Sequence, residues 1–216
     1  KKKADVVFCS IFVNPTQFNN PDDFTRYPVN IQKDILLLEN SEVPVLFLPG
    51  VSNIYPDGTA QLPHYDFGYL DTVLEGAYRP GHFQGVGQVM DRLLKIVQPH
   101  FLFLGQKDYQ QCMIIQKLVT LTGIKTEIIF FPTRREADGL AMSSRNLRLP
   151  AEDRKKAGAI YQALLFIKQN FRRLSFLQLK QQAFQQLQAA GFEVDYVEIA
   201  NAENLELLSE PIDGNM

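Results

Sequence analysis

The chain has 216 residues, of which 45% are hydrophobic and 21% charged, and its formal net charge is −2. These values are ordinary for a globular protein and give no support for nucleic-acid binding. No apolar run is long enough to span a membrane. Cys9 and Cys112 both lie in apolar runs. We therefore expect buried, reduced thiols rather than a disulfide or a metal site, and a cytoplasmic location.

The first apolar run, residues 5–13, is rich in β-branched side chains and is typical of a strand buried on both faces in a parallel sheet. It ends at a polar loop that contains Asn14 and Gln17. Carboxamides at a strand end can bind a ligand hydroxyl or carboxylate, although an Asn beside a proline more often caps a turn. A helix is predicted over residues 31–42 and a second short strand over residues 44–48.

The next part of the chain is less regular. Residues 61–74 have room for two short strands. Residues 75–87 are glycine-rich and include Arg79 and His82, which could reach a carboxylate. The alternative for His82 is that it merely begins the following helix, which apolar spacing predicts over residues 86–97.

Residues 105–111 (GQKDYQQ) follow an apolar run at residues 101–104 and precede a predicted helix, residues 110–122, which Gly123 ends. In open α/β sheets, ligands bind just beyond the carboxyl ends of the strands. Free N–H groups at a helix N-terminus suit phosphate, and Lys107 adds a positive charge. This stretch is therefore interpreted as half of a nucleotide-binding site.

A further strand is predicted over residues 124–131. Alternating strands and helices predict a parallel, doubly wound, Rossmann-like α/β domain over residues 1–132. A smaller α+β domain is predicted over residues 133–216. Its predicted elements are helices at about residues 151–173 and 176–190 and a half-exposed strand at residues 192–200.

The second domain begins with a polar, basic loop that contains Met142-Ser143-Ser144-Arg145. Two hydroxyls and an arginine can donate several hydrogen bonds to phosphate oxygens. The neighbouring Arg134, Arg135 and Arg148 increase the positive field. A solvated basic loop that leads into the next helix is the alternative. The Lys107-Asp108 pair at the strand end upstream favours the interpretation of this loop as the second half of the nucleotide-binding site.

Five stretches of the chain match one family in order and spacing. They are FVNPTQF at residues 12–18, YPDG at 55–58, EGAYRPGHFQGV at 75–86, FLGQKDYQQ at 103–111 and READGLAMSSRN at 135–146. Together they resemble the pantothenate synthetases (pantoate–β-alanine ligases) of the nucleotidyltransferase superfamily. The resemblance covers nearly the whole chain, and five blocks in order are far more specific than one GxKD motif.

The resemblance implies ATP-dependent condensation of pantoate with β-alanine through a pantoyl adenylate, with release of AMP and pyrophosphate. Lys107 and Arg145, with Mg²⁺, would offset the repulsion between the attacking carboxylate and the phosphates. The positions implied to contact ATP are Gly105, Gln106, Lys107, Asp108, Arg134, Met142, Ser143, Ser144 and Arg145. Those implied to bind pantoate are Gln17 and Gln111, with β-alanine also beside Gln17 and Asn14 supporting the pocket. A homodimer is also implied.

The chain departs from the family pattern in two ways. The His-x-Gly-His turn that follows the family's first strand is absent, so the first strand, its helix and the catalytic histidines are expected upstream of Lys1. Gln106 replaces the glutamate of the usual GEKD form.

Two alternatives stay open. One is another nucleotidyltransferase, which the neutral amides of Gln17 and Gln111 disfavour. The other is a catalytically incomplete fragment that binds ATP or serves as a dimer scaffold.

Overall fold

The computed structural model describes residues 3–19 and 21–210. The chain divides into two compact units, Lys1–Phe131 and Pro132–Met216. Among the described residues, no helix combines the length and apolar composition needed to cross a membrane.

The first unit is built from parallel strands and connecting helices. Its described strands are β1 (Phe8–Ser10), β2 (Val45–Phe47), β3 (Phe101–Gly105) and β4 (Glu127–Phe131). Its described α-helices are α1 (Pro21–Thr25), α2 (Ile31–Asn40), α3 (Val51–Ile54), α4 (Glu75–Tyr78), α5 (His82–Val97) and α6 (Tyr109–Thr122). β1 pairs with β2 and β3 pairs with β4, both in parallel. Parallel neighbours need a crossover, which α2 and α6 provide. The predicted parallel α/β fold is therefore confirmed.

The core of the first unit forms where α5 and α6 pack against β3 and β4. Phe83 and Val86 of α5 meet Ile114, Ile115 and Leu118 of α6, and Leu102, Leu104 and Ile128 of the strands pack against them. Gly123 ends α6 in a left-handed conformation, with φ of 69°, as its sequence position predicted. This packing fixes where β3 ends and α6 begins, which is where the predicted phosphate-binding residues lie.

The prediction of strands over residues 61–74 is wrong. The segment contains a short 3₁₀ helix, Gly68–Asp71, and no strand. The Tyr65 backbone is paired with a side chain of α5 instead of a neighbouring strand. The Tyr65 N–H donates to Gln84 Oε1 at 3.1 Å, and Gln84 Nε2 donates to the Tyr65 carbonyl at 2.8 Å. The Gln84 side chain thus makes the hydrogen bonds to the Tyr65 backbone that a neighbouring strand would have made.

The described α-helices of the second unit are α7 (Ala151–Lys156), α8 (Ala159–Asn170) and α9 (Phe176–Ala189). The single helix predicted from residue 151 to 173 is interrupted near Gly158, whose backbone passes close to Asp138; a Cβ there would lie 3.2 Å from the Asp138 carbonyl. The strand predicted at residues 192–200 is wrong, because only one antiparallel bridge, Ala200 to Leu207, forms there.

Candidate active site

Asn14 organises the turn that follows β1, residues 14–17, which we call the amide turn. The side chain is only 2% exposed. Its Oδ1 accepts hydrogen bonds from the Thr16 N–H at 3.4 Å and the Tyr55 hydroxyl at 2.8 Å. Its Nδ2 donates to the Gly85 carbonyl at 3.0 Å. Asn14 is thus both the turn cap and a support that ties the amide turn to α5.

These contacts fix the orientation of a second amide, that of Gln17. A backbone N–H can only donate and a carbonyl can only accept, so Thr16 and Gly85 define which Asn14 atom is oxygen and which is nitrogen. Asn14 Nδ2 also donates to Gln17 Oε1 at 3.4 Å. The half-buried Gln17 therefore turns its oxygen towards Asn14, and its Nε2 is the group it can offer to an acidic ligand.

His82 begins α5 and contacts the amide turn directly. Its Nδ1 lies 2.8 Å from the Gln17 carbonyl oxygen, and the side chain is buried. Burial lowers the pKa of His82 below its ordinary value, while the Gln17 carbonyl and the charges of Arg79, Glu75 and Asp108 make smaller contributions. The amide turn and Asp108 therefore lie within electrostatic range of the same ring.

Arg79, the other residue predicted to reach a carboxylate, already has an anionic neighbour. Its guanidinium lies 3.6 Å from the Glu75 carboxylate one helical turn earlier, and both side chains are partly exposed. Exposed pairs of this kind contribute little, about 0–1 kcal/mol, so Arg79 can exchange this partner for a ligand.

The residues after β3 form a short 3₁₀ helix, Gln106–Asp108, which we call the lysine turn. Lys107 Nζ lies 2.8 Å from Asp108 Oδ1, and these side chains are 39% and 56% exposed. The Gly105 carbonyl accepts a hydrogen bond from the buried Cys112 thiol at 3.4 Å. Burial, and then the charge of Asp108, raise the pKa of Cys112. The lysine turn thus presents an accessible positive charge at the end of β3.

Sequence reasoning missed Gln110, which lies beside the predicted Gln111. Gln110 is buried; its Nε2 donates to the carbonyls of Leu70 and Val73, both at 2.8 Å, and its Oε1 accepts from the Glu75 N–H at 3.1 Å. Helical spacing could have revealed it, because positions 110, 114 and 118 share the buried face of α6. Gln111 is half-buried, and its amide takes no part in this network.

In the second unit, residues 134–142 form a hairpin that holds the serine loop, residues 142–145. The Met142 N–H donates to the Arg134 carbonyl at 2.9 Å, next to an antiparallel bridge between Arg135 and Ala141. Ser143 Oγ accepts from the Arg145 N–H at 3.2 Å and caps a 3₁₀ helix, Ser144–Arg148. The structure thus brings the Arg134 backbone beside the serine loop, and a nucleotide-binding role for these residues stays a prediction.

Arg135 has a structural part in the same hairpin. It donates to the Gly139 carbonyl at 3.0 Å, and its guanidinium lies 4.3 Å from the centre of the Tyr161 ring. Gly139 has a φ of 88°, and a Cβ there would lie 2.0 Å from the Tyr161 ring. Arg135 therefore packs the hairpin onto α8.

The predicted site residues fall into two groups. Gln17, Gly105, Gln106, Lys107, Asp108 and Gln111 belong to the first unit, whereas Arg134 and residues 142–145 belong to the second. Their joint action on one nucleotide stays a prediction. No group of three or more His, Cys, Asp or Glu side chains among the described residues could hold a metal ion.

The fold and these contacts define an α/β protein with polar turns that follow strands of its parallel pairs. The model of the family described as pantoate-beta-alanine ligase matches residues 1–215. The chain therefore belongs to the pantoate–β-alanine ligase family, and its enzyme class is that of a ligase. The family predicted from the five sequence stretches is confirmed.

Solved structures agree with this assignment. Pantothenate synthetase from Thermus thermophilus is 40% identical with a TM-score of 0.92, over 98% of this chain and 77% of that chain. Pantoate-beta-alanine ligase from Francisella tularensis, complexed with beta-gamma ATP and beta-alanine, is 42% identical with a TM-score of 0.74, over 86% of this chain and 69% of that chain.

Proposed function

We propose that this protein condenses pantoate with β-alanine at the expense of ATP, through a pantoyl adenylate, and releases AMP and pyrophosphate. One observation carries the proposal. The amide turn follows β1 and the lysine turn follows β3, each a strand of a parallel pair. The charge of Asp108 contributes to the lowered pKa of His82, whose Nδ1 lies 2.8 Å from the Gln17 carbonyl oxygen. This supports assigning acid binding to the Gln17 amide and phosphate binding to Lys107 within the first unit. Family membership, and the relative complexed with beta-gamma ATP and beta-alanine, support this function.

The first step joins two negatively charged groups. A carboxylate oxygen of pantoate attacks the α-phosphorus of ATP, an O–P bond forms, and pyrophosphate leaves with the electrons of the broken bond. Lys107 and Arg145 would offset the charge that develops on the phosphates. Ser143 and Ser144 would donate hydrogen bonds to the departing pyrophosphate. Gly105, Gln106, Asp108, Arg134 and Met142 would complete the nucleotide contacts.

The second step forms the amide. The amine nitrogen of β-alanine attacks the carbonyl carbon of the adenylate, AMP leaves with the electrons of the broken bond, and the nitrogen loses a proton. Gln17 and Gln111 would hold the pantoyl group, and Gln17 would also lie beside β-alanine. The mixed anhydride hydrolyses easily, so the site must exclude water during this step.

Mg²⁺ would enter with the nucleotide as its phosphate complex. This ion prefers to keep several waters and to bind substrate phosphates rather than an all-protein cage. That preference fits the described donor set, in which Asp108 is paired with Lys107 and no larger acidic cluster is present. The chemistry the ion supplies is neutralisation of phosphate charge.

We further propose a homodimeric, cytoplasmic protein with a nucleotidyltransferase domain over residues 1–132 and a smaller C-terminal domain over residues 133–216. The division of the chain after Phe131 supports the domain boundary, and the free thiols of Cys9 and Cys112 fit a reducing compartment. Sedimentation velocity of the intact protein tests the dimer.

A product assay tests the proposed function. The intact protein should form pantothenate and AMP from ATP, pantoate and β-alanine, and it should exchange pyrophosphate into ATP only when pantoate is present. A phosphorylated acid in place of pantoate is the control for another nucleotidyltransferase. ATP binding without AMP release under any of these conditions would show a binding protein and contradict the proposal.

A further inference from the structure

His82 is the buried one of the three histidines, since His64 and His100 are exposed. Its Nδ1 lies 2.8 Å from the Gln17 carbonyl oxygen, 65 residues away in sequence. A carbonyl oxygen only accepts, so Nδ1 must carry the hydrogen and donate it. In the neutral ring, Nε2 is then unprotonated, and the backbone of Gln17 has fixed the tautomer of His82.

The start of α5 holds the amide turn through further contacts. Gly85, one helical turn after His82, accepts from Asn14 Nδ2 at 3.0 Å. A Cβ on Gly85 would lie 2.3 Å from the Thr16 carbonyl, so only glycine lets the two backbones approach this closely. The His82 ring packs edge-on against Phe83, with ring centres 4.9 Å apart. The imidazole is therefore held in place and can itself hold the turn.

Gln17 is anchored at both ends. His82 holds its backbone carbonyl, and Asn14 holds its side-chain oxygen at 3.4 Å. The rotatable bonds between these two atoms set where the Gln17 Nε2 points, so fixing both ends limits the positions that Nε2 can take.

We propose that His82 is a positioning residue: its Nδ1–H holds the Gln17 carbonyl so that the Gln17 amide meets the carboxylate of the acid substrate. This proposal rests on the proposed function, in which Gln17 binds pantoate. It gives His82 a role in acid recognition, whereas starting a helix would need no contact with Gln17.

The expected effect follows from the geometry of adenylation. The acid must approach the α-phosphate in line, and a misplacement of about 1 Å can reduce the rate roughly 100-fold. Loss of the His82 donor should therefore lower kcat/KM for pantoate by about 100-fold. ATP binds through other residues in the proposed function, so its KM should change little.

Three variants of the intact protein separate positioning from packing. His82→Asn places an amide N–H about where Nδ1–H lies, whereas His82→Gln places its amide nearer the position of Nε2. His82→Phe keeps a ring and removes both nitrogens. We expect His82→Asn to retain most of the pantoate kcat/KM, and His82→Gln and His82→Phe to lose it. His64→Asn, at an exposed position, is the matched control.

A second measurement does not depend on the variants folding. Long-range ¹H–¹⁵N spectra of the wild-type imidazoles should show the His82 ring as the Nδ1–H tautomer, with His82→Asn assigning the signal. An Nε2–H tautomer would overturn the proposal, because that ring could not donate to Gln17.

The outcomes distinguish the two proposals. Failure of the wild-type protein to make pantothenate would overturn the proposed function. Normal pantoate kinetics in a folded His82→Phe, while the wild type is active, would overturn only the role of His82. If His82→Phe does not fold, equal pantoate kcat/KM values for His82→Asn and His82→Gln overturn that role instead.

Discussion

The amide turn and the lysine turn both follow strands of the same α/β unit, but their polar groups are held very differently. In the amide turn, Asn14 is 2% exposed and its amide is engaged by the backbone of Thr16 and Gly85. In the lysine turn, Lys107 and Asp108 pair with each other while 39% and 56% exposed. Buried hydrogen bonds restrain the amide turn, whereas an exposed ion pair leaves the lysine turn room to rearrange.

The difference fits the roles proposed for the two turns, which are acid recognition and phosphate binding. Selecting one small acid requires donors in fixed places, because a misplaced buried donor loses both affinity and discrimination. Phosphate groups carry high charge, which a mobile lysine can follow through the reaction. We therefore expect substitutions in the lysine turn to lower the reaction rate with little effect on folding stability. Substitutions around the amide turn should affect folding stability, acid recognition or both.

The largest effect is expected from Lys107→Ala. Removing the charge that we propose stabilises the transition state should reduce adenylate formation about 10²–10³-fold. Because the Lys107–Asp108 pair is exposed, the free energy of unfolding should change by less than about 1 kcal/mol. Pyrophosphate exchange into ATP and urea unfolding measure the two quantities.

Lys117→Ala, at an exposed position of α6, is the control for Lys107→Ala. Exchange at the wild-type rate in Lys107→Ala would contradict the role given to this lysine. A loss of several kcal/mol in stability would contradict the description of the lysine turn as a weakly held element.

The two turns also differ in how far the sequence could predict them. Apolar runs located β1 and β3, and Gly123 predicted the end of α6, because these signals are local. The predicted end of β1 was wrong by three residues, because the strand ends at Ser10 rather than at residue 13. The contacts that orient Gln17 are not local: His82 and Gly85 lie 65 and 68 positions away in sequence. Periodicity on one element carries no information about which carbonyl on another element a side chain will meet.

The errors of the sequence-based predictions at Gln110 and at residues 61–74 have the same origin, which is a contact between residues distant in sequence. Gln110 resembled one more polar residue of the GQKDYQQ stretch until its buried contacts with Leu70, Val73 and Glu75 were known. Residues 61–74 resembled strands because their apolar spacing allowed it, but the side chain of Gln84 pairs with the backbone of Tyr65. In each case tertiary hydrogen bonds determined the local structure, which the local sequence pattern did not specify.

The orientation of the Gln17 amide is tested by Gln17→Glu. This change keeps an oxygen for Asn14 Nδ2 and replaces only the NH₂ group with a second oxygen. If NH₂ faces the acid, two carboxylates will then oppose each other, and kcat/KM for pantoate should fall by about 100-fold or more, since like charges in contact cost several kcal/mol. The KM for ATP should stay within about threefold, because the lysine turn is untouched.

The same chemical change at the exposed Gln116 of α6 controls for the added charge. Unchanged pantoate kinetics in Gln17→Glu would show that the amide presents its oxygen to the substrate. The description of the amide turn as preorganised to bind the acid would then be wrong.

Gly85→Ala tests how closely α5 and the amide turn are packed. Its Cβ would lie 2.3 Å from the Thr16 carbonyl and 2.7 Å from the Gln17 Cα. Both neighbours are backbone, so we expect a loss of about 1–3 kcal/mol in unfolding free energy. Gly158→Ala in the second unit is the matched control, because its nearest neighbour would be 3.2 Å away. Equal stability changes in the two variants would show that the backbone of the amide turn shifts at little cost to accommodate the added Cβ.

The smallest expected effect is a pH dependence of stability that comes from His82. Its pKa is lowered from 6.5, first by burial, with Arg79, Glu75 and Asp108 as the charged groups around it. A lowered pKa means that the unfolded chain takes up the proton first. The contribution of His82 to stability is therefore complete above the unfolded pKa, and it is lost as pH falls below about 6.5, at no more than about 1.4 kcal/mol per pH unit.

His82→Asn keeps a donor for the Gln17 carbonyl but does not titrate. Between pH 7 and pH 5, the unfolding free energy of this variant should fall less steeply than that of the wild type, as urea unfolding at each pH measures. His64→Asn serves as the control at an exposed position. Parallel curves for His82→Asn and the wild type would mean that His82 titrates alike in the folded and unfolded chains. The amide turn would then be as open to water as the lysine turn, and the contrast between the two would disappear.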